Sequence, residues 1–343
     1  MRGAHATGLN SIVRRSRWRT RRLLILCYHG VATRDEHEWD PLLYITQERL
    51  RERLKQLIVE DHKILGLAEA LRQLSVGTLP PRAVALTFDD GPSDFASHAV
   101  PVLQEFNAPA TVYLTTYYCE HRSPVFDPAL SYLLWRGRDS DPDLSDLADA
   151  SGPIRIHSPA DREATWLALT RAARLRGLST IDKHAFLRQV AERVGVDFDA
   201  FVDSRILQIM TPSQVRALPT DLIDVQLHTH RHRTPRVEQE FVRELQDNQA
   251  AIARLTGIAG PRTHFCYPSG DYAQCFLPWL RDQGVTSATT CIPGLAHKDS
   301  DFLLLPRFVD SMSTTSLTFD AWTSGVAELL PRRARYRLDK ARG

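Results

Sequence analysis

Cysteine is scarce: Cys27, Cys119, Cys266, Cys275 and Cys291 are five in 343 residues, odd in number, with no Cys-x-x-Cys pair. That argues against a disulfide framework and against a thiolate zinc site, and the thiols are expected to be reduced. No apolar run approaches the roughly 20 residues that span a bilayer as a helix. The early run Leu23 to Tyr28 is also shorter than the about seven to fifteen residues of a signal-peptide core, so a cytoplasmic protein is expected. An excess of one charge is missing too. Lys plus Arg number 43 against 41 Asp plus Glu, a net charge of +2, which favours neither a polyanion binder nor an acidic chain. Neither an internal repeat nor an interdomain linker is visible.

What is present is enough apolar material, 43% of the residues, to bury a sizeable core. Charge is uneven at the ends. Residues 1–22 carry seven arginines and no acid, and residues 331–343 carry six basic residues against Asp339. These stretches, 1–22 and 326–343, read as flexible basic tails around a domain of residues 23–325. They are either solvated termini or segments that hold the chain near an anionic membrane surface or nucleic acid.

Apolar runs and helical periodicities alternate along much of the chain. Leu23 to Tyr28 reads as a buried strand that ends at His29-Gly30, and Thr46 can cap a helix carrying Leu50, Leu54 and Leu57. Val84 to Phe88 reads as a strand, followed by a helix from about Asp94 to Phe106 and a strand Ala110 to Leu114. The alternation lapses over about 121–210, which reads as a helical insertion with starts at Ser158-Pro159 and at the capping box Thr211 to Gln214. It resumes with a strand Leu222 to Leu227, a helix capped by Thr234-Pro235 and stopped by Gly257, and a strand ending near Tyr267. A helix from about Ala273 to Gln283, a strand around Thr286 to Thr290 and a strand Phe302 to Phe308 complete the pattern. Such β-α-β alternation predicts a parallel sheet with helices outside it.

Three polar clusters sit at strand ends, where barrels of this type assemble their sites. Asp89-Asp90-Gly91-Pro92 joins two carboxylates to a sharp turn. Successive residues of an extended chain point apart, so the turn is needed if both are to serve one site; otherwise the tetrapeptide simply caps the next helix. His228-Thr-His-Arg-His232 places three imidazoles on one face if the chain stays extended. With a carboxylate, two of them would leave a metal an open coordination position; the alternative is a surface histidine cluster. Phe265-Cys-Tyr-Pro-Ser-Gly270, taken alone, is no more than a turn.

Together these segments resemble the polysaccharide deacetylase family, also called the NodB homology domain or carbohydrate esterase family 4. Thr87 to Gly91 matches its TFDDG motif, His228 to His232 its H-[ST]-x-x-H motif, and Phe265 to Gly270 the F-x-Y-P-x-G form of its third motif. Tyr28-His29 and Leu305-Pro-Arg307 look like features of the branch with that third-motif variant. The resemblance covers about residues 23–310 apart from the insertion. It implies an α/β fold, a distorted (β/α) barrel of the NodB homology type with a helical insertion, and a metal-dependent hydrolase that removes acetyl groups from N-acetylated amino sugars.

Carried over by motif, the metal ligands fall on Asp90, His228 and His232 and the catalytic base on Asp89. The cofactor implied is one divalent ion, Zn²⁺ first, with Co²⁺, Ni²⁺ and Fe²⁺ as alternatives. His230 is expected to support the ligands or face substrate, and Thr229 to orient the ligands. Tyr267, Ser269 and Gly270 belong to the substrate and oxyanion side, with the Ser269 N–H as the expected donor.

Two departures stand out. The family's late L-x-H histidine, the acid for the leaving amine, has two counterparts: His297 in Leu295-Ala-His297, and His29 at the first strand end. Strand-end geometry favours His29. Cys266 stands where many members place an arginine that fixes the base, and Arg307 is the candidate replacement. The expected partner is an acetylated carbohydrate, with no nucleic acid. Rival readings are a hydrolase of non-sugar amides on the same fold, an inactive carbohydrate-binding relative, and an adaptor acting through the basic ends.

Overall fold

The computed structural model describes residues 9–120, 123–152 and 154–331. It divides into two units, residues 1–119 with 210–343 and residues 120–209. The second unit runs over residues 120–209, where the sequence predicts an insertion over about 121–210.

The first unit is built on a parallel sheet. β1 (Leu24–Tyr28), β5 (Ala83–Phe88), β6 (Ala110–Leu114), β7 (Ile223–Leu227), β8 (His264–Cys266) and β9 (Ser287–Thr289) lie side by side in that order. β10 (Phe308–Val309) flanks β1, and β4 (Lys63–Leu65) pairs with β5. A short parallel ribbon, β2 (Gly30–Ala32) with β3 (Tyr44–Thr46), stands apart. β1, β5 and β6 are buried at every position, as continuous apolar strands covered on both faces must be.

The chain from 302 to 309 bends the sheet toward closure. Leu305 bridges to Thr289 on β9, and three residues later Phe308 pairs with Leu26 on β1. The sheet is therefore a distorted (β/α) barrel. The strand expected at Phe302 to Phe308 shrinks to two residues because the segment serves both edges in turn.

Other boundaries moved for local reasons. The helix expected from Asp94 begins as a π-helical turn, Phe95–Ala99, before the α-helix Val100–Glu105. The helix expected to start at Thr234-Pro235 starts at Glu238, with no side-chain cap, and ends at Gly257 in the left-handed conformation as predicted. Thr46 and Thr211 cap their helices as expected.

The basic ends are less loose than their composition suggests. Residues 1–8 and 332–343 lie outside the described residues, but Leu9–Arg15 and Arg17–Thr20 are helices. Arg19 is fully buried, donating through Nε to the Thr323 carbonyl at 3.1 Å. Val326–Leu329 is likewise helical, with Val326 and Ala327 buried. Arginine and leucine favour helix, and the buried Val13 and Arg19 fix the N-terminal helices by tertiary packing.

The second unit is helical: Phe126–Arg136, Pro159–Leu175, Thr180–Arg193 and Phe198–Asp203. Leu130, Leu133, Leu169, Phe186, Leu187 and Phe201 form its buried interior. Ser158 with Asp161 makes a capping box. Ser179 with Asp182 makes another, which the sequence reading did not single out.

Candidate active site

Asp89 and Asp90 follow β5 directly, and the backbone turns at once: Asp90 has φ +66° and Gly91 φ +72°. At Gly91 a Cβ would come within 2.3 Å of Leu114 Cδ1, so glycine is required there for space as well as for conformation. This is the turn that lets successive carboxylates face one site.

Asp89 is sealed. Its N–H donates to the Tyr28 carbonyl, continuing the ladder with β1. Arg307, itself fully buried, meets it as a fork, Nη1 to Oδ1 and Nη2 to Oδ2, both at 2.7 Å. Arg307 is held in turn by the Thr290 carbonyl at 2.9 Å and Thr87 Oγ1 at 3.2 Å. Burial opposes ionisation of Asp89, but the guanidinium outweighs it and holds the carboxyl well below the usual carboxylate range. Cys27 and Cys266 lie 3.5 and 3.4 Å from Oδ2. Burial pushes both thiols up, so they stay protonated and donate to Asp89. Arg307 thus supplies the charge that the cysteine at 266 does not, and Cys266 is a small packed residue.

Asp90 is half-open and faces the histidines. Nε2 of His228 and Nε2 of His232 lie 3.0 and 3.1 Å from its Oδ1. One donor atom from each of the three residues falls within 4.8 Å of the others. Nδ1 of His228 is 2.9 Å from the Cys266 carbonyl, which can only accept. Nδ1 therefore carries the proton, and in the neutral ring Nε2 turns a lone pair toward a carboxylate oxygen. That contact becomes favourable with a proton or a metal cation between the two atoms: burial lowers the imidazole's pKa, but Asp90 beside it outweighs burial and raises it. Two imidazoles and a carboxylate suit a divalent transition ion, so the residues present fit a metal.

The histidine segment does not stay extended. Thr229 has φ +60° and His232 φ +54°, so the middle imidazole leaves the face shared by the outer two. His230 Nδ1 is 2.8 Å from Thr116 Oγ1, and its ring meets Tyr117 edge-on at 5.7 Å. His230 belongs to none of the metal-capable groups among the described residues.

Two side chains missed by the sequence reading hold this loop from the helix Glu238–Thr256. Asn248 Oδ1 accepts from the His228 N–H at 2.9 Å, while its Nδ2 donates to the Leu114 carbonyl and to Thr116 Oγ1. Glu244 accepts from the Arg231 N–H at 2.7 Å and from the Arg233 and Arg231 guanidinia. Both are fully buried. The signal was in the sequence: a glutamate and an asparagine on the helix's apolar stripe, between Phe241, Leu245 and Ile252.

His29 stands at the mouth with Nε2 3.6 Å from Asp89 Oδ2. His297 does not. Its neighbour Ala296 pairs with Leu23 at the opposite end of β1, roughly 20 Å from His29 at the usual strand rise. It lines a separate cleft with Arg21, Arg22 and Lys298. The literal L-x-H match is a loop at the wrong end of the barrel.

The third motif turns through Ser269, exposed and at φ +55°, and Gly270 at φ +67°. A Cβ on Gly270 would press on Cys291 at 3.2 Å. Tyr267 is committed elsewhere: its hydroxyl donates to the Leu303 carbonyl at 2.9 Å and its N–H to the Thr289 carbonyl at 3.3 Å. The Gly270 N–H goes to the Tyr267 carbonyl. Tyr267 thus braces the wall rather than facing substrate.

Comparison with known proteins follows this geometry. The family model described as polysaccharide deacetylase matches residues 76–160 and 179–288, more than half of the chain. A Staphylococcus epidermidis poly-beta-1,6-N-acetyl-D-glucosamine N-deacetylase is 30% identical over 103 residues, covering 27% of this chain and 36% of that protein. The chain therefore matches only about a third of that relative's length. Among solved structures, the Streptococcus pyogenes deacetylase PplD in complex with acetate superposes with a TM-score of 0.56 at 17% identity, over 90% of this chain and 99% of that one. IcaB from Ammonifex degensii gives 0.55 at 16% identity over 88% and 97%. The structural likenesses speak for the fold alone, and it is the family match together with the Asp-Asp and His-x-x-x-His geometry that places this chain in the polysaccharide deacetylase family.

Proposed function

We propose that the chain removes N-acetyl groups from amino sugars in a polysaccharide, oligosaccharide or glycan precursor, using one divalent ion held by Asp90, His228 and His232. The observation that carries this is the convergence of two imidazole Nε2 atoms on Asp90 Oδ1, with His228 Nδ1 fixed on the Cys266 carbonyl. Zn²⁺ is the first choice, and Co²⁺, Ni²⁺ and Fe²⁺ suit the same donors. The ion, when bound, supplies Lewis-acid activation of water and of the acetyl carbonyl.

Asp89 takes the proton of the attacking water. Its ionisation is secured by Arg307, so the base is in its working form throughout the neutral range. The Ser269 N–H is the proposed donor to the developing oxyanion, on a turn where Ser269 is exposed and has φ +55°. His29 delivers a proton to the leaving amine, which would otherwise be expelled as an unstable anion, and its position beside Asp89 supports that role. His230 orients the segment between the ligands through Thr116. The curated relative's name points to N-acetylglucosamine polymers as the first substrates to try.

The test is acetate release from a panel of N-acetylated and O-acetylated sugars and of cyclic amides, with metal content measured in parallel. Wild type should release acetate from N-acetylated sugars, while Asp89→Asn keeps the ion and loses turnover. Turnover of cyclic amides alone would move the reading to a non-sugar amide hydrolase, and wild type without bound ion would end the metal assignment.

A further inference from the structure

The end of the barrel opposite the mouth carries a surface that deacetylation does not use. The helix Leu9–Arg15 packs against the helices Ser316–Ser324 and Val326–Leu329. The described parts of the two terminal stretches therefore lie beside one another. Some of the cations there are structural: Arg14 pairs with Glu60 at 2.7 Å, Arg19 is buried, and Arg22 donates to the Trp18 carbonyl. Arg15, Arg17 and Arg21 are exposed, and no acid pairs with them among the described residues. Lys298 is exposed on the rim of the adjoining cleft, where Asp299 is the acid in the lining.

Exposed apolar side chains occur on these packed terminal helices as well. Ile12 is 67% exposed and Leu329 is 55% exposed, on helices that pack together. Beyond Leu329 the sequence continues with Arg332, Arg333, Arg335 and Arg337. A purely electrostatic partner such as a nucleic-acid backbone has no use for exposed Ile and Leu. Cations flanking apolar side chains are what an anionic bilayer interface selects, with headgroup phosphates pairing the arginines and the acyl boundary taking the apolar tips. No helix among the described residues is long and apolar enough to cross a membrane, so such contact would be peripheral.

We propose that this face, Ile12, Arg15, Arg17, Arg21 and Leu329, docks the protein peripherally on an anionic phospholipid surface. The catalytic mouth, at the other end of β1, then opens away from the bilayer. Docking stands independently of the substrate.

The test is co-sedimentation of the full chain with vesicles of phosphatidylcholine alone and of an equimolar phosphatidylcholine and phosphatidylglycerol mixture. Binding should require phosphatidylglycerol and weaken as salt is raised. The triple variant Arg15→Glu, Arg17→Glu, Arg21→Glu should bind at least about ten-fold more weakly, and Ile12→Ser with Leu329→Ser several-fold more weakly, each with unchanged far-ultraviolet circular dichroism. Should the charge-reversed protein misfold, the serine pair and the salt series on wild type decide. Equal binding to both vesicle types, or none, overturns the proposal. So does undiminished binding by the serine pair together with displacement by duplex DNA at matched charge, which would indicate a nucleic-acid surface.

Discussion

Asp89 and Asp90 are adjacent in the chain, and their surroundings differ completely. Asp89 lies under Arg307 with two thiols and a β-ladder bond around it, almost fully buried, with His29 beside its Oδ2. Asp90, turned by a positive φ, stands half-open with two imidazoles on one oxygen. The difference teaches that position relative to the sheet, rather than residue type, divides the labour. The carboxylate still in register with β1 is held anionic by a fixed cation, and the one past the turn faces the two imidazoles, where the proposed ion would sit.

Breaking the open side should have the largest effect. His228→Ala removes a donor and its tie to Cys266, and bound metal should fall from about one equivalent to near zero with loss of acetate release, read by metal analysis of the purified protein. Breaking the closed side differently, Asp89→Asn should lower kcat by about 10²–10⁴-fold and leave the metal content unchanged. Retention of turnover in that variant would remove Asp89 from the base role.

The pairing itself can be broken from the other partner. Arg307→Ala leaves a buried carboxylate without its cation and should cost about 3–5 kcal/mol of stability in denaturant unfolding, because both partners are buried. A variant no less stable than wild type would mean that another cation takes the place of Arg307 at Asp89. Asn248→Ala acts on the open side at one remove, where its side chain holds the His228 N–H. It should weaken metal affinity by about 10–100-fold in a chelator competition, as loss of a group orienting a ligand does.

The two histidine candidates sharpen the comparison most cheaply. His29→Ala should lower kcat by about 10²–10⁴-fold, while His297→Ala, at the far end of the barrel, should leave kcat within about two-fold, as surface changes remote from a site do. The reverse order would exchange their assignments.

Much of this was legible in the residues. Continuous apolar strands, the Asp-Asp-Gly turn, the caps at Thr46 and Thr211 and the insertion are local patterns, and local patterns survive folding because short-range sterics and backbone bonding write them. Other outcomes turned on distant residues. The histidine segment is not extended, because Thr229 and His232 adopt positive φ with support from helix Glu238–Thr256 through Asn248 and Glu244, and His230 stands off the ligands' face, in keeping with the supporting role expected of it. Tyr267 turned inward because Leu303 offers its hydroxyl a carbonyl. The N-terminal arginines proved partly structural because Thr323 lies within reach of Arg19.

The sequence by itself determined which residues can do chemistry here and on which strand ends they sit, since the periodicity of apolar runs places strand ends without reference to the rest of the chain. The sequence offered Arg307 and favoured His29, but only the tertiary structure decided between the alternatives, by setting Arg307 on Asp89 across 218 positions and His29 rather than His297 at the mouth. The closing of a barrel sets which distant residues become neighbours, and no local pattern carries that information.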